Sequence, residues 1–239
     1  MNIAIDYGNS AAKVGIFDHQ NLMEQHSFAD KENLLRFLNQ TDVDHLIISS
    51  VKEEPNELSS WLPSTKRHFI LTKELPLPIT NLYETPGTLG MDRLAGVCGA
   101  QQIFPLQHCL VIDAGTCITY DLVDKEGRYH GGGIGPGLNM RFKAVHTFTA
   151  KLPLISPKEN VPLIGTSTES SIRSGVINGM LAEIDGIIAR YNQEFDGLRV
   201  ILCGGDARFF ENQLKAAIFA SPELVLIGLN SILNHNVKL

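Results

Sequence analysis

The stretch Val111 to Asp124, V-I-D-A-G-T-C-I-T-Y-D-L-V-D, carries the pattern that decides the fold. An apolar run ends on the carboxylate of Asp113, a turn of small residues follows, and a second strand-like run begins at Cys117. This pattern predicts a β-hairpin whose tip presents backbone N–H groups, short polar side chains and an acid. Such a tip suits phosphate oxygens and a cation.

The same plan occurs at the amino terminus. Ile3-Ala4-Ile5 leads into Asp6-Tyr7-Gly8-Asn9-Ser10, and a strand-like run resumes from Lys13 to Asp18. Two hairpins of one design predict two related halves. Two facing hairpins could clamp a triphosphate, with Lys13 as a cation for it and Asp6 and Asp113 as carboxylates for ions. An exposed strand lysine is the commoner fate of such a residue, so the weight given to Lys13 comes from the hairpin tip beside it.

Hydrophobic periodicity predicts an alternation of strands and helices that is typical of an α/β protein. In the first half we predict strands at 2–7, 11–17, 21–27, His45 to Val51 and Arg67 to Leu71, with helices after Asp30 and from Glu54 to Leu62. In the second half we predict strands at Cys109 to Asp113, Cys117 to Leu122, Tyr129 to Gly132 and Val200 to Cys203. Helices are predicted at Leu138 to Phe148, from about Thr168 through Tyr191, near Ala207 and at the carboxyl terminus.

Bulk properties exclude several classes of function. The 239 residues are 44% hydrophobic and 19% charged, as in ordinary soluble proteins. A net charge of -6 argues against nucleic acid or an anionic membrane as the main partner, because those surfaces attract a basic excess. The four cysteines form no Cys-x-x-Cys pair and no secretory signal is recognised, which favours a reduced, cytoplasmic setting without a membrane span.

An extended loop from Leu75 to Gly90 delivers a candidate catalytic pair. Prolines and glycines interrupt any periodicity there, and a long ordered loop in a compact domain is often functional. Asp92 and Arg93 follow at the predicted start of a helix. An Asp at that place could simply complement the helix N-terminus, but Arg93 does not fit this structural explanation.

Three further features are individually weak. The run Gly131 to Gly137 has five glycines beyond the ordinary needs of a turn and is interpreted as a loop that lets backbone approach a ligand. Thr168 or a neighbouring hydroxyl could be a helix N-cap, a binding group, or both. Gly204-Gly205 could admit a flat purine, although helix–strand packing explains such glycines equally well.

Taken in order, these motifs resemble the type III pantothenate kinases. The resemblance covers residues 3 to about 206 and rests on the first hairpin with Lys13, the loop from Tyr83 through Arg93, Ile112-Asp113-x-Gly115-Thr116, the Gly131 to Gly137 run and the Gly204-Gly205 turn. It implies two actin-like (ribonuclease H-like) domains, each a mixed sheet that begins with a β-hairpin and is flanked by helices. We place them at residues 1–107 and 108–239, and the resemblance also implies a homodimer.

The resemblance further implies an activity and its residues. The reaction is phosphorylation of pantothenate by ATP to 4'-phosphopantothenate, the first step of coenzyme A biosynthesis, with Mg2+ and a monovalent cation, K+ or NH4+. Asp92 matches the general base and Asp113 the monovalent-cation ligand. The matching ATP contacts are Asp6, Tyr7, Gly8, Asn9, Ser10, Ala11, Ala12, Lys13 and Thr116. The matching pantothenate contacts are Tyr83, Gly90, Met91, Asp92, Arg93 and Thr168.

Four positions depart from the family pattern. Ser10 keeps the usual hydroxyl of a threonine, while Met91 and Cys117 stand where smaller residues are frequent. Ser167 precedes Thr168 where an asparagine is expected, which affects the substrate alignment there.

Three alternative functions remain open from the sequence. An actin-fold kinase for a sugar or a carboxylate would differ in the Tyr83 to Arg93 loop. A non-catalytic accessory factor should have lost an acid, yet Asp6, Asp92 and Asp113 are all present. A plain nucleotide-binding module would leave Asp92 and Arg93 without a purpose.

Overall fold

The structure is a computed structural model that describes residues 1–8, 11–50, 52–63 and 67–238. Its strands are β1 (Asn2–Tyr7), β2 (Ala12–Asp18), β3 (Asn21–Phe28), β4 (His45–Ser50), β5 (Arg67–Ile70), β6 (Thr80–Asn81), β7 (Cys109–Ala114), β8 (Cys117–Val123), β9 (Arg128–Pro136), β10 (Arg199–Cys203) and β11 (Phe219–Ala220). Its helices are α1 (Lys31–Gln40), α2 (Pro55–Trp61), α3 (Met91–Ile103), α4 (Leu138–Thr147), α5 (Thr168–Glu194), α6 (Ala207–Glu211) and α7 (Leu224–Val237).

The chain folds into two compact units. The first unit comprises Met1–Leu106, Glu126–His130 and Glu223–Leu239, and the second comprises Gln107–Lys125 and Gly131–Pro222. The two domains expected from the sequence, residues 1–107 and 108–239, stay a prediction.

The first unit is built on a five-stranded sheet in the order β3-β2-β1-β4-β5. β1 runs antiparallel to β2 and parallel to β4, so the amino-terminal hairpin leads directly into a parallel sheet. Alternate residues of β1 and β4 pack against Leu34 and Leu38 of α1 and Leu58 of α2. Asp30 caps α1 by accepting a 2.9 Å hydrogen bond from the backbone N–H of Asn33, which explains why that helix begins there.

Helix α7, from the end of the chain, completes the first unit by packing on α3, β1 and β4. Glycines permit the contact between α3 and α7: a Cβ atom on Gly228 would lie 1.7 Å from the carbonyl oxygen of Ala95. Polar contacts fix the position of α7 along β1. The Asn2 side chain donates hydrogen bonds to the side-chain oxygens of Asn230 and Asn234, at 3.0 and 2.9 Å. The carboxyl terminus therefore holds the helix that begins with Met91 and Asp92.

The second unit contains a sheet in the order β11-β10-β7-β8-β9. β7 and β8 form the second antiparallel hairpin, and β10 runs parallel to β7 on its other side. One face of this sheet packs on α4, α5 and α6 through a large apolar cluster that includes Ile112, Tyr120, Phe142 and Ile184. The first residues of β9 belong to the first unit, where Arg128 and Tyr129 pair with β6.

The predicted elements are confirmed in order and type, with three corrections. The run Gly131–Gly137 is not a loop, because β9 continues through Pro136. Its glycines serve close backbone packing: a Cβ on Gly132 would lie 1.6 Å from the carbonyl oxygen of Tyr120. The 75–90 segment includes the two-residue strand β6 and a single 3-10 turn at Pro86–Thr88, and α5 extends to Glu194 rather than Tyr191.

Candidate functional site

The first hairpin places Asp6 and Lys13 directly opposite each other. They are paired in the antiparallel register of β1 and β2, so both side chains leave the same face of the sheet. Both are half-buried. A carboxylate and an ammonium group therefore stand together beside the hairpin turn, as the sequence pattern predicted for a phosphate and cation site.

The other described residues of the predicted ATP loop lie partly in the hairpin turn and partly in the core. The N–H of Gly8 donates to the carbonyl oxygen of Ala11 at 3.2 Å and closes the turn, while Ala12 is buried. Asn9 and Ser10 lie outside the described residues. The Tyr7 ring is also buried, 6.1 Å from Trp61 in an edge-to-face contact, with the Lys52 ammonium 5.0 Å from its centre.

Asp92 lies in the first turn of α3 and bends back over the helix start. Its Oδ1 accepts a 2.8 Å hydrogen bond from the backbone N–H of Arg93. The helix N-cap is Gly90, and Asp92 complements the helix N-terminus from within the first turn, so the structural explanation and a functional role are compatible. A Cβ on Gly90 would lie 2.4 Å from Oδ1, and glycine is therefore needed at this position for the Asp92 side chain to adopt its conformation.

The charge of Asp92 acts on Asp6 within the first unit. Burial raises the pKa of the Asp6 carboxyl above its ordinary value, and the negative charge of Asp92 raises this pKa further. The ammonium group of Lys13 acts in the opposite direction. The Asp6 carboxylate is an oxygen donor of the kind that suits Mg2+, which takes one or two carboxylates together with phosphates.

Arg93 is held by an aromatic stack. Its guanidinium carbon lies 5.6 Å from the centre of the Tyr83 ring, and that ring stacks on the buried ring of Tyr129 with centres 6.2 Å apart. The stack is anchored by the Leu82 N–H, which donates to the Tyr129 carbonyl oxygen at 2.9 Å. The predicted substrate residues Tyr83, Gly90, Met91, Asp92 and Arg93 are therefore brought into one local structure.

A cavity of about 320 Å³ opens beside this structure, at the carboxyl ends of β4 and β5. It is lined by Met91 together with charged and hydroxyl side chains, among them Ser50, Lys52, Glu53, Thr72 and Lys73. The carboxyl ends of parallel strands are the usual place for a ligand in an α/β sheet. Space for a small polar molecule thus exists within the first unit next to a predicted substrate residue.

The second hairpin presents Asp113 at the end of β7. A Cβ on Gly204 would lie 2.3 Å from Asp113 Oδ1, so the Gly204 backbone packs directly on this carboxylate. Thr119 stands opposite Asp113 in the register, and its buried hydroxyl has no hydrogen-bond partner among the described residues. A carboxylate and an orphaned hydroxyl on one face of a hairpin fit an alkali cation, which prefers oxygen ligands.

The remaining predicted contacts also belong to the second unit. Thr116 is exposed at the hairpin tip, where its carbonyl oxygen accepts a 3.2 Å hydrogen bond from the Gly137 N–H. Thr168 is exposed in the first turn of α5, and the N-cap is its neighbour Ser167, which accepts from the N–H of Ser170. The capping role considered for Thr168 or its neighbours is therefore that of Ser167, and the Thr168 hydroxyl is not required for it.

Several residues around the site escaped the sequence analysis. Tyr129 supports Tyr83, Lys52 covers Tyr7, and Arg141, Glu183 and Tyr120 form a network near the second hairpin. Glu183 is separated from Arg141 by 42 positions and from Tyr120 by 63. No local motif links such distant residues, so only the folded chain identifies them as partners.

Two features are absent from the described residues. No group of three or more His, Cys, Asp or Glu side chains in the described ranges is arranged to hold a metal ion. None of the helices in that part of the chain is both long and apolar enough to cross a membrane. The four cysteines are free, and of these Cys117 alone is exposed.

Comparison with solved structures defines the class of protein. A conserved, provisionally assigned Baf family transcriptional activator from Campylobacter jejuni superposes with a TM-score of 0.65 at 22% identity, covering 99% of this chain and 100% of that one. A ROK hexokinase from Thermus thermophilus superposes with a TM-score of 0.51 at 12% identity, covering 99% of each chain. At these identities the similarity shows the fold, and the fold is that of the actin-like ATPases and ROK sugar kinases.

Sequence comparison then gives the family. The model of the type III pantothenate kinases matches residues 2–190. A type III pantothenate kinase from Phocaeicola vulgatus is 48% identical over 242 residues, covering all of both chains. The chain belongs to the type III pantothenate kinase family and is an enzyme, a phosphotransferase that uses ATP and a divalent metal ion.

Proposed function

We propose that the protein transfers the γ-phosphoryl group of ATP to the primary hydroxyl of pantothenate, giving 4'-phosphopantothenate for coenzyme A biosynthesis, with Asp92 as general base. Family membership supports the substrate. The observation that carries the role of Asp92 is its half-buried carboxylate in the first turn of α3, close enough to Asp6 to affect its pKa.

In the proposed reaction, Asp92 accepts the proton of the pantothenate hydroxyl. The hydroxyl oxygen forms a bond to the γ-phosphorus, the bond from that phosphorus to the bridging oxygen breaks, and ADP leaves. Arg93, whose orientation is fixed by the Tyr83 ring, holds a polar end of the acceptor. The cavity beside Met91 offers the acceptor room within the same unit.

The ATP contacts assigned here are residues 6–13 of the first hairpin and Thr116 of the second. Lys13 would neutralise phosphate charge, and Asp6 would hold the divalent ion. A bound divalent ion neutralises charge on the phosphates during phosphoryl transfer. Asp113 would hold the monovalent cation, K+ or NH4+, with the Thr119 hydroxyl beside it.

We further propose that the enzyme is a cytoplasmic homodimer. Large apolar side chains of the second unit are mostly exposed in the single chain: Ile134, Phe148, Leu154, Leu163 and Ile164. A second copy of the chain would cover such a surface, which supports the homodimer. Thr168, which we assign to pantothenate, is also exposed and follows Leu163 and Ile164 closely in the sequence.

The experiment that tests this function measures ADP release with an acceptor panel. Purified protein is assayed with Mg-ATP and K+ and with pantothenate, a hexose, acetate or no acceptor. The proposal expects turnover with pantothenate well above the rate without acceptor. Turnover with a hexose or acetate instead would assign the protein to another branch of the actin-fold kinases, and ATP binding without turnover on any acceptor would support the accessory-factor alternative.

A further inference from the structure

An ion-pair network joins α4, α5 and β8 in the second unit. The Nη2 of Arg141 lies 2.9 and 2.8 Å from the two carboxylate oxygens of Glu183, and the Tyr120 hydroxyl donates to Glu183 Oε1 at 3.1 Å. The ion pair is partly buried, with 19% of the Arg141 side chain and 33% of the Glu183 side chain exposed. Burial and the Glu183 carboxylate together raise the pKa of Tyr120, so this hydroxyl remains a donor at physiological pH.

The network reaches the backbone at the end of β9. The Arg141 Nε donates a 2.8 Å hydrogen bond to the Pro136 carbonyl oxygen. Arg141 thereby uses its planar guanidinium to hold a carboxylate on α5 and a carbonyl on β9 at once. Because its two partners lie on separate elements, the Arg141 side chain helps to fix the position of residues 136 and 137.

The end of β9 in turn supports the second hairpin tip, defined as the turn Ala114 to Cys117. The Gly137 N–H donates to the Thr116 carbonyl oxygen, and a Cβ on Gly137 would lie only 2.2 Å from the Gly115 oxygen. A second contact holds the tip: the Asp206 N–H donates a 2.8 Å hydrogen bond to the carbonyl oxygen of Ala114. A displacement of residues 136 and 137 would therefore also displace the backbone of Thr116.

We propose that Arg141 and Glu183 are positioning residues that hold the second hairpin tip in the geometry required for nucleotide binding. They do not contact the nucleotide and act only through Pro136, Gly137 and Thr116. The inference rests on the proposed function in one respect, the assignment of Thr116 as an ATP contact. Small misplacements of a binding group cost a large part of its effect, so the network should control affinity for ATP.

The first test measures binding of a non-hydrolysable ATP analogue with Mg2+ and no acceptor. Arg141→Met and Glu183→Gln should each weaken binding by about fivefold or more, and the double variant should be little worse than either, because the pair acts as a unit. Arg141→Lys keeps the charge but cannot hold both partners, so it should fall between wild type and Arg141→Met. With ATP saturating, kcat should fall less than the affinity does.

Asp185→Asn is the matched control. Asp185 is also on α5, two positions from Glu183, and accepts hydrogen bonds from the backbone N–H groups of Lys215 and Ala216 instead of contacting β9. This variant should bind the analogue within about twofold of wild type. Thermal unfolding of every variant is recorded, and the comparison is made at a temperature at which all are folded.

The second test reads the hairpin tip directly through Cys117. This thiol is exposed next to Thr116, whereas Cys98, Cys109 and Cys203 are buried, so a thiol reagent labels the tip selectively in the folded protein. In Arg141→Met and Glu183→Gln, but not in Asp185→Asn, the labelling rate without nucleotide should change by about twofold or more, and protection by ATP should weaken.

The two tests separate this inference from the proposed function. Neither the binding of the ATP analogue nor the labelling of Cys117 involves pantothenate, so failure to phosphorylate pantothenate would overturn the function and leave the positioning role intact. Unchanged ATP affinity and unchanged Cys117 labelling in folded Arg141→Met and Glu183→Gln would overturn the positioning role. Equal effects in Asp185→Asn would do the same, since they would show a general response of α5.

Discussion

At the scale of single residues, the proposed site rests on two carboxylates with different surroundings. Asp6 is on a buried strand opposite Lys13, and its pKa is raised by burial and by Asp92. Asp92 lies in the first turn of α3, where its Oδ1 accepts a hydrogen bond from the backbone N–H of Arg93. In the proposed function Asp6 holds the metal ion together with the phosphates, and Asp92 accepts the proton of the acceptor.

The raised pKa of Asp6 gives a prediction about pH. If Asp6 holds the divalent ion it must be ionised, so Mg-ATP binding should be lost on acidification at a higher pH than for an ordinary aspartate. Asp92→Asn removes a neighbouring negative charge and lowers the pKa of Asp6, so the loss of binding should move to lower pH. Mg-ATP affinity measured as a function of pH in both proteins checks this, with the exposed Asp196→Asn as control. A shift to higher pH in Asp92→Asn would contradict the proposed coupling.

Asp113 gives a prediction about cations. If it holds the monovalent ion, Asp113→Ala should lose the activation that the wild type shows when Na+ is replaced by K+. Titration of thermal stability with KCl against NaCl provides a reading that does not depend on turnover, because a ligand that binds the folded state stabilises it. Full activation by K+ in the variant would show that Asp113 does not hold the ion.

At the scale of elements, the sequence was sufficient wherever the signal was local. The hairpins, the capped helix after Asp30 and the loop leading to Asp92 all follow from periodicity, caps and turn residues. The prediction of a loop at Gly131 to Gly137 was wrong because these glycines are required by close contacts with residues distant in sequence, the Tyr120 carbonyl and the hairpin tip. The network of Arg141 and Glu183 was missed for the same reason.

The contact between α3 and α7 gives a prediction at this scale. Gly228→Ala should destabilise the protein by roughly 1–3 kcal/mol, because the new methyl group would overlap the Ala95 carbonyl and separate the helices. Gly186→Ala is the matched control: it is also a helical glycine, its Cβ meets nothing within 4 Å, and it should be neutral or stabilising by up to ~1 kcal/mol. Denaturant unfolding measures both. Equal stability of the two variants would show that α3 and α7 do not need this close approach.

At the scale of the whole molecule, chain order and spatial grouping differ. The last helix belongs with the first residues of the chain, and the start of β9 belongs with β6. The sequence could predict a terminal helix but not its partner, because the pairing depends on Gly99, Gly228 and the buried asparagines, which carry no local signature. The residues predicted to bind ligands are likewise found in both units, Asp6 and Asp92 in the first and Asp113 and Thr116 in the second.

The homodimer is predicted from exposed apolar surface as well as from the family. Sedimentation of the wild type should give twice the mass of one chain. Leu163→Asp combined with Ile164→Asp should shift the protein towards monomer, because charges would replace two side chains that are 80% and 79% exposed. Leu106→Asp, at an equally exposed leucine outside the 134–164 segment, should leave the dimer intact. A monomeric wild type would contradict the prediction.

The central claim is that Asp92 is the base for phosphoryl transfer to pantothenate, and its most direct test is product formation by Asp92→Asn. Mass spectrometry follows 4'-phosphopantothenate from ATP and pantothenate, and Mg-ATP affinity is measured on the same samples, with Asp196→Asn as control. The account predicts that the variant binds Mg-ATP but forms product about 10²- to 10⁴-fold more slowly than wild type. Near wild-type product formation by Asp92→Asn, or no phosphopantothenate from the wild type, would contradict it.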